Sequence, residues 1–172
     1  MKHSEHNDKL CPLAQTLGIV GDNWTLLILR NAFLGARRFD DFQQQLGLTR
    51  HVLTDRLKKL VEHDIFKKVP YGASNSRFEY RLTPKGAALS PVLMALGSWG
   101  NQWLFEKEQQ PMRYTHKTCG AELQITAYCP CCDVNVSSSD IKMVTGPEIE
   151  TLKKSLSTQQ LTQALGFMPQ TP

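Results

Sequence analysis

Apolar residues recur every three or four positions through residues 11–60, alternate with polar ones in two stretches between 65 and 83, then return to the helical spacing. "CPLAQTLGIV" (11–20) predicts a short helix with Pro12 at its first position, where a missing N–H costs nothing. "NWTLLILRNAF" (23–33) predicts a second helix, apolar nearly all round and so expected to be buried. "GARRF" (35–39) predicts a brief extended piece, and "DDFQQQLG" (40–47) a short helix stopped by Gly47. In "LTRHVLTDRLKKL" (48–60), Thr49 suits the N-cap of a further helix, and Leu48 can staple onto Leu53. Leu53, Leu57 and Leu60 fall on one stripe, while Arg50, His51, Thr54, Asp55 and Lys58 lie largely away from it. "IFKKVPY" (65–71) and "RFEYRLT" (77–83) predict two strands joined by the turn "GASNS".

A short helix, a tight turn, a second helix with a polar outward face, and then a hairpin make a winged helix-turn-helix. Thr83 and Pro84 predict the start of a long helix with a kink or fresh start at Pro91. Its stripe of Leu89, Val92, Leu93, Leu96, Trp99 and Trp103 is wide. With the N-terminal helix it predicts a dimer interface, the alternative being packing on the chain's own tail. "QQPMRY" (109–114) predicts a linker, followed by a cysteine-rich segment. Residues 148–166 predict one or two amphipathic helices bearing Ile149, Leu152, Leu156, Leu161 and Leu165.

Charge sharpens this picture. The net charge of +4 is unevenly placed. Residues 1–49 balance at zero, 50–85 carry nine basic and four acidic residues, and 86–172 carry six and seven. The whole excess therefore sits on the second helix of the motif and the hairpin, where clustered cations suit an anionic partner such as DNA. No apolar run approaches the roughly 20 residues that a spanning helix needs, and "MKHSEHNDKL" has no apolar core of a signal peptide. A cytoplasmic protein without a membrane partner is expected. A Ser-His-Asp set, a phosphate loop and a nucleotide fingerprint are all missing, which argues against an enzyme.

The segments "CPLAQTLGIVGDNWTLLILR", "RRFDDFQQQLGLTRHVLTDRLKKL" and "FEYRLTPKG" resemble the HxlR-type (MarR-like) transcriptional regulators of bacteria. The matching features lie in order over residues 11–103: the Cys–Pro opening, the Trp-Thr helix, the Arg-Arg-Phe strand, the "L..RL..L" helix and the "EYRLT..G" exit from the wing. Asp22-Asn23 stand where the family usually has a second glycine and a lysine, and the wing lacks the proline common near its tip. The resemblance implies a homodimer on palindromic operator DNA.

In such a motif the first turns of the second helix reach base edges in the major groove, which makes Arg50, His51 and Thr54 the base-contact candidates. Lys58 and Lys59, further along the same helix, are candidates for phosphates, and Thr49 and Arg56 join the set from that helix. Asn75 and Arg77 from the wing, and Arg37 and Arg38 from the piece before the third helix, complete the DNA-binding set. For Arg56 an internal pair is the alternative.

The cysteines raise separate chemistry. Cys11 precedes Pro12 at a helix start, where the dipole favours a thiolate. The resemblance adds redox sensing at this position, and the alternative is a small residue filling a helix junction. "HKTCG" (116–120) and "YCPCC" (128–132) set His116-x-x-Cys119 nine residues ahead of Cys129-x-x-Cys132. Two such pairs on a hairpin can surround a structural zinc ion, with Cys131 a rival for Cys132. A reduced thiol cluster and a redox switch are the alternatives.

The expected fold is mainly α with a small β wing: a winged helix-turn-helix with a C-terminal zinc-ribbon-like hairpin and a helical tail. The expected boundaries are a DNA-binding and dimerisation domain at 1–108, a Cys/His-rich segment at 109–145 and a tail at 146–172. The expected function is a dimeric DNA-binding transcriptional repressor or activator, open to a small-molecule effector or to redox control. The competing readings are a protein-interaction module, or a thiol or metal redox protein built on the cysteine-rich tail.

Overall fold

The structure, a computed structural model, describes residues 10–72, 77–157, 159, 160 and 162. Four helices open the chain: α1 (Pro12–Val20), α2 (Asn23–Phe33), α3 (Phe39–Leu46) and α4 (Arg50–Glu62). The hairpin β1 (Phe66–Tyr71) and β2 (Arg77–Leu82) follows, antiparallel, with Phe66 opposite Leu82 and Tyr71 opposite Arg77. Then come α5 (Pro84–Ala87) and α6 (Ser90–Leu104), a second small hairpin of β3 (Ala127–Cys129) and β4 (Val134–Val136), and α7 (Pro147–Leu152).

The core is built where the helical stripe converges with the base of the wing. Leu53, Leu57 and Leu60 of α4 are fully buried, together with Ile28, Leu29, Phe42 and Phe66. Phe66 links two elements, its ring lying 6.2 Å from that of Phe42 and 6.3 Å from that of Tyr80. Leu48 and Leu53 both lie in this core, as the staple requires. Burying side chains of this size contributes about 1.5–3 kcal/mol each, so the stripe fixes which face of α4 remains outside.

The turns of the motif follow local chemistry. Gly47 ends α3 at φ 63°, and its N–H donates to the Gln43 carbonyl at 2.9 Å. Thr49 then caps α4, its hydroxyl accepting the Val52 N–H at 3.4 Å. At the far side of the wing, Thr83 donates to the Asp64 carbonyl at 2.6 Å and accepts the Gly86 N–H at 3.0 Å. Gly86 is a close approach: a Cβ there would stand 2.2 Å from the Ile65 carbonyl oxygen. The "LTPKG" motif therefore locks the second strand and α5 against the end of α4.

One expectation needs correction, and one left open is resolved. The α2 helix is not enclosed: Thr25, Ile28, Leu29 and Asn31 are buried, but Trp24, Phe33 and the following Leu34 are exposed. A single chain supplies neighbours for only one side of this helix. The long helix is two helices, broken at Ala88–Leu89, with Pro91 in the first turn of α6. Proline is tolerated there because the first N–H groups of a helix have no intrahelical partner. The fresh start, not the kink, is what the chain adopts.

No residue of α6 is buried, and along its stripe Trp99 is 58% and Trp103 65% exposed. No described residue between 105 and 157 is buried either. Within the tail, α7 covers only the start of the span expected to be helical, and Leu161 and Leu165 lie outside the described residues.

Candidate nucleic-acid interface

The outward face of α4 is set by its inward leucines, and the basic residues sort by what they touch. Arg50 is exposed and lies over the Phe39 ring, 5.1 Å from its centroid. His51 is the most open, its side chain 87% exposed and 3.4 Å from Asp55 one turn on. Thr54 donates to the Arg50 carbonyl at 2.7 Å. Lys58, 72% exposed, approaches Glu62 at 3.8 Å. Exposed pairs at this spacing are worth a few tenths of a kcal/mol and yield readily to a polyanion.

Arg56 and Lys59 differ, because both are tied to the N-terminal helices. Arg56 Nε donates to Asp22 Oδ1 at 2.9 Å, and its side chain is only 35% exposed. Asp22 is also the N-cap of α2, accepting the Thr25 N–H at 3.1 Å and the Thr25 hydroxyl on its other oxygen. Partial burial pushes the Asp22 carboxyl up, but the Thr25 hydrogen bonds and the Arg56 charge outweigh it and hold the group below the usual range. Lys59 Nζ donates to the Gly18 carbonyl at 2.7 Å, close to the end of α1. Sequence reasoning placed Lys59 with the DNA face and left an internal pair open for Arg56, but it missed Asp22 as the partner of Arg56. Its signal was an Asp directly before a helix start.

The neighbouring strand and wing add further cations. Arg38 stacks on Tyr71 at 4.6 Å and lies 3.9 Å from Glu79, with which it shares an antiparallel bridge. Arg37 is exposed, and its carbonyl accepts the Tyr80 N–H at 2.7 Å. That contact pins the piece before α3 to the wing. Arg77 is exposed at the start of β2, while Arg81 is held by Glu79 at 2.9 Å. Asn75 lies outside the described residues.

Cys11 is the N-cap of α1, its sulfur accepting the Ala14 N–H at 3.5 Å. The other cysteines lie far along the chain in the segment after α6. His116 Nδ1 is 3.2 Å from Cys119 Sγ. Cys129 is paired with Cys132, and the N–H groups of Cys132 and Cys131, followed by the Cys132 thiol, hold the Cys129 thiol below its ordinary range. All five cysteines are free thiols. An open cleft of about 340 Å³ lies between α6 and this segment, lined by Ser98, Asn101, Gln102, Arg113, Tyr114 and Glu122 among others. None of its lining residues belongs to the hydrophobic core.

With this geometry in place, the likeness to known proteins is decisive. Residues 19–108 match the family model for the HxlR-like helix-turn-helix. The chain belongs to the HxlR-like family. It is a transcriptional regulator of helix-turn-helix type. An HTH-type transcriptional regulator of Mycobacterium tuberculosis is 38% identical over 135 residues, covering 78% of this HxlR-like chain and 85% of the relative. One of Synechocystis is 34% identical over 96 residues, covering 55% and 71%. Among solved structures, the proposed transcription factor PA1607 superposes with a TM-score of 0.74 at 34% identity, over 83% of this chain and 100% of that one. A second, PA1374 from Pseudomonas aeruginosa, gives 0.60 at 32% identity over 85% and 100%. Such coverage exceeds what residues 1–108 can supply, so the likeness continues into the segment beyond α6. Among the described residues no helix is long and apolar enough to cross a membrane.

Proposed function

We propose that this HxlR-like regulator acts as a homodimer on palindromic operator DNA, with α4 in the major groove and the β1–β2 wing on the adjacent backbone or minor groove. The observation that carries this reading is the outward face of α4. Arg50, His51, Thr54 and Lys58 stand on it with at most local partners, while the opposite face is fixed in the core. Arg50 is the base reader, since a guanidinium fork engages guanine O6 and N7 together. Thr49, His51 and Thr54 share the first turns with it. Lys58, Arg37, Arg38 and Arg77 neutralise phosphates, each contributing to the salt dependence of binding. Arg56 and Lys59 hold α4 in place from behind.

The homodimer rests on α6 and α1. Val92, Leu96, Trp99 and Trp103 on α6, with Leu13 and Leu17 on α1, are large apolar side chains left exposed in the single chain. A second copy would cover them and set two α4 helices for two half-sites about 34 Å apart. The polar cleft beside α6 offers a small-molecule effector a place next to that interface. The redox arm of the reading rests on Cys11, where peroxide would oxidise the thiol to a sulfenic acid, releasing water, and so change the acceptor that caps α1.

Fluorescence anisotropy of the reduced protein on its own upstream DNA, against scrambled DNA and across a salt series, tests the proposal. Tight, steeply salt-dependent binding to the cognate fragment supports it. Equal weak binding to both fragments at every salt concentration overturns operator recognition. Repeating the titration after mild peroxide, with Cys11→Ser as control, decides the redox arm.

A further inference from the structure

Two turns in the segment after α6 are built alike. In His116–Gly120 the Gly120 N–H donates to the His116 carbonyl at 2.8 Å; in Cys129–Asp133 the Asp133 N–H donates to the Cys129 carbonyl at 2.9 Å. The fifth residue of each is left-handed, at φ 72° for Gly120 and 57° for Asp133. Asp133 is one of only two non-glycine residues in that region among the described residues, so the second turn keeps this shape against its backbone preference. Each turn sits at the tip of an antiparallel pairing, the Thr115–Glu122 bridge for the first and β3–β4 for the second. In each, the first and fourth residues carry nitrogen or sulfur donors facing one another.

Among the described residues, no apolar side chain of this segment is fully buried. Leu123, Ile125, Tyr128, Val134 and Ile141 are all exposed. A unit of two short hairpins is not stable on strand pairing alone, and small units without a core are held by disulfides or a metal. All four cysteines here are thiols.

We propose that His116, Cys119, Cys129 and Cys132 bind one zinc ion that clasps the two hairpins. Tetrahedral zinc with bonds of about 2.0–2.3 Å sets neighbouring donors roughly 3.3–3.8 Å apart, close to the 3.2 Å already found between His116 Nδ1 and Cys119 Sγ. Among the described residues no three such donors are gathered at ion-binding distance, so the two turns stand as separate pairs and binding brings one onto the other. On binding, the three thiols each release a proton to water and His116 ligates as neutral imidazole. Four protein ligands leave no open position, so the ion is structural. Cys131, between the ligands of the second turn, stays free.

The test uses the full chain, purified reduced and without chelator, with zinc measured by mass spectrometry. About one zinc per chain is expected in the wild type, in Cys11→Ser and in Cys131→Ser, with less than roughly 0.2 in Cys119→Ser, Cys129→Ser and Cys132→Ser. Stripping the metal should raise hydrogen exchange over residues 111–141 and leave α2–α4 protected. Cobalt added to the stripped wild type should give the visible spectrum of a tetrahedral thiolate site, which guards against variants that fail to fold. Less than about 0.2 zinc per fully reduced chain, full zinc in Cys129→Ser, or an octahedral cobalt spectrum would overturn the proposal. Operator binding enters none of these readouts, so the site and the DNA reading fail separately.

Discussion

The pair between Asp22 and Arg56 joins the start of α2 to the middle of α4 across 34 positions of sequence, and it makes a quantitative prediction. Asp22→Asn keeps a good N-cap acceptor and removes the charge, whereas Asp22→Ala removes both. The salt bridge is partly exposed, 35% at Arg56 and 24% at Asp22, which limits its worth to about 1 kcal/mol after screening. The cap adds about 1 kcal/mol. Asp22→Asn should therefore lose about 1 kcal/mol and Asp22→Ala about 2, and Arg56→Met should lose about 1 alone but little more on top of Asp22→Asn. Urea unfolding followed by tryptophan fluorescence measures all four corners of the cycle, at one fixed protein concentration because an oligomer's stability depends on it. The pH dependence has a definite sign. The folded Asp22 carboxyl lies below its unfolded value, so its contribution is complete above about pH 4 and fades as pH falls through the folded value. The gap between wild type and Asp22→Asn should close in strong acid. A coupling energy below about 0.3 kcal/mol at pH 7 would refute the reasoning, as would a salt slope for DNA binding that drops by about 0.9 in Arg56→Met, since that drop marks a phosphate contact.

Three further outcomes are expected. Arg50→Ala should weaken operator binding by about 1–3 kcal/mol and relax preference at one base pair; an equal loss on random DNA would reduce it to a phosphate contact. Gly86→Ala should lower the urea midpoint by the equivalent of about 1–3 kcal/mol, because its Cβ meets the Ile65 carbonyl at 2.2 Å. A gain, which helix propensity alone would give, contradicts that packing. Trp99→Glu should turn the particle monomeric in light scattering and weaken operator binding while leaving the fold's circular dichroism unchanged; a dimer that persists places the interface elsewhere.

Much of the fold was legible because its signals are local. Gly47, Thr49 and the leucine stripe of α4 fall within a few residues of one another, and each acts through a cap or a periodicity that a short window contains. The same periodicity turned Arg50, His51 and Lys58 outward, so the open part of the candidate interface could be read from spacing. The paired donors of residues 116–132 were equally visible, since x-x spacing is itself a turn geometry.

The tertiary structure decided everything that depends on which distant atoms meet. Arg56 and Lys59 look like their neighbours in sequence, yet packing turns them to Asp22 and to the Gly18 carbonyl, 34 and 41 positions away. The open side of α2 belongs to the same class. Hydrophobicity said that this helix wants cover all round, but only the packed chain shows that one side has none. The physical reason is that propensity, capping and amphipathic spacing are properties of a few consecutive residues. Burial and charge pairing are instead properties of a surface assembled from separate segments, and no local pattern states which segments assemble it.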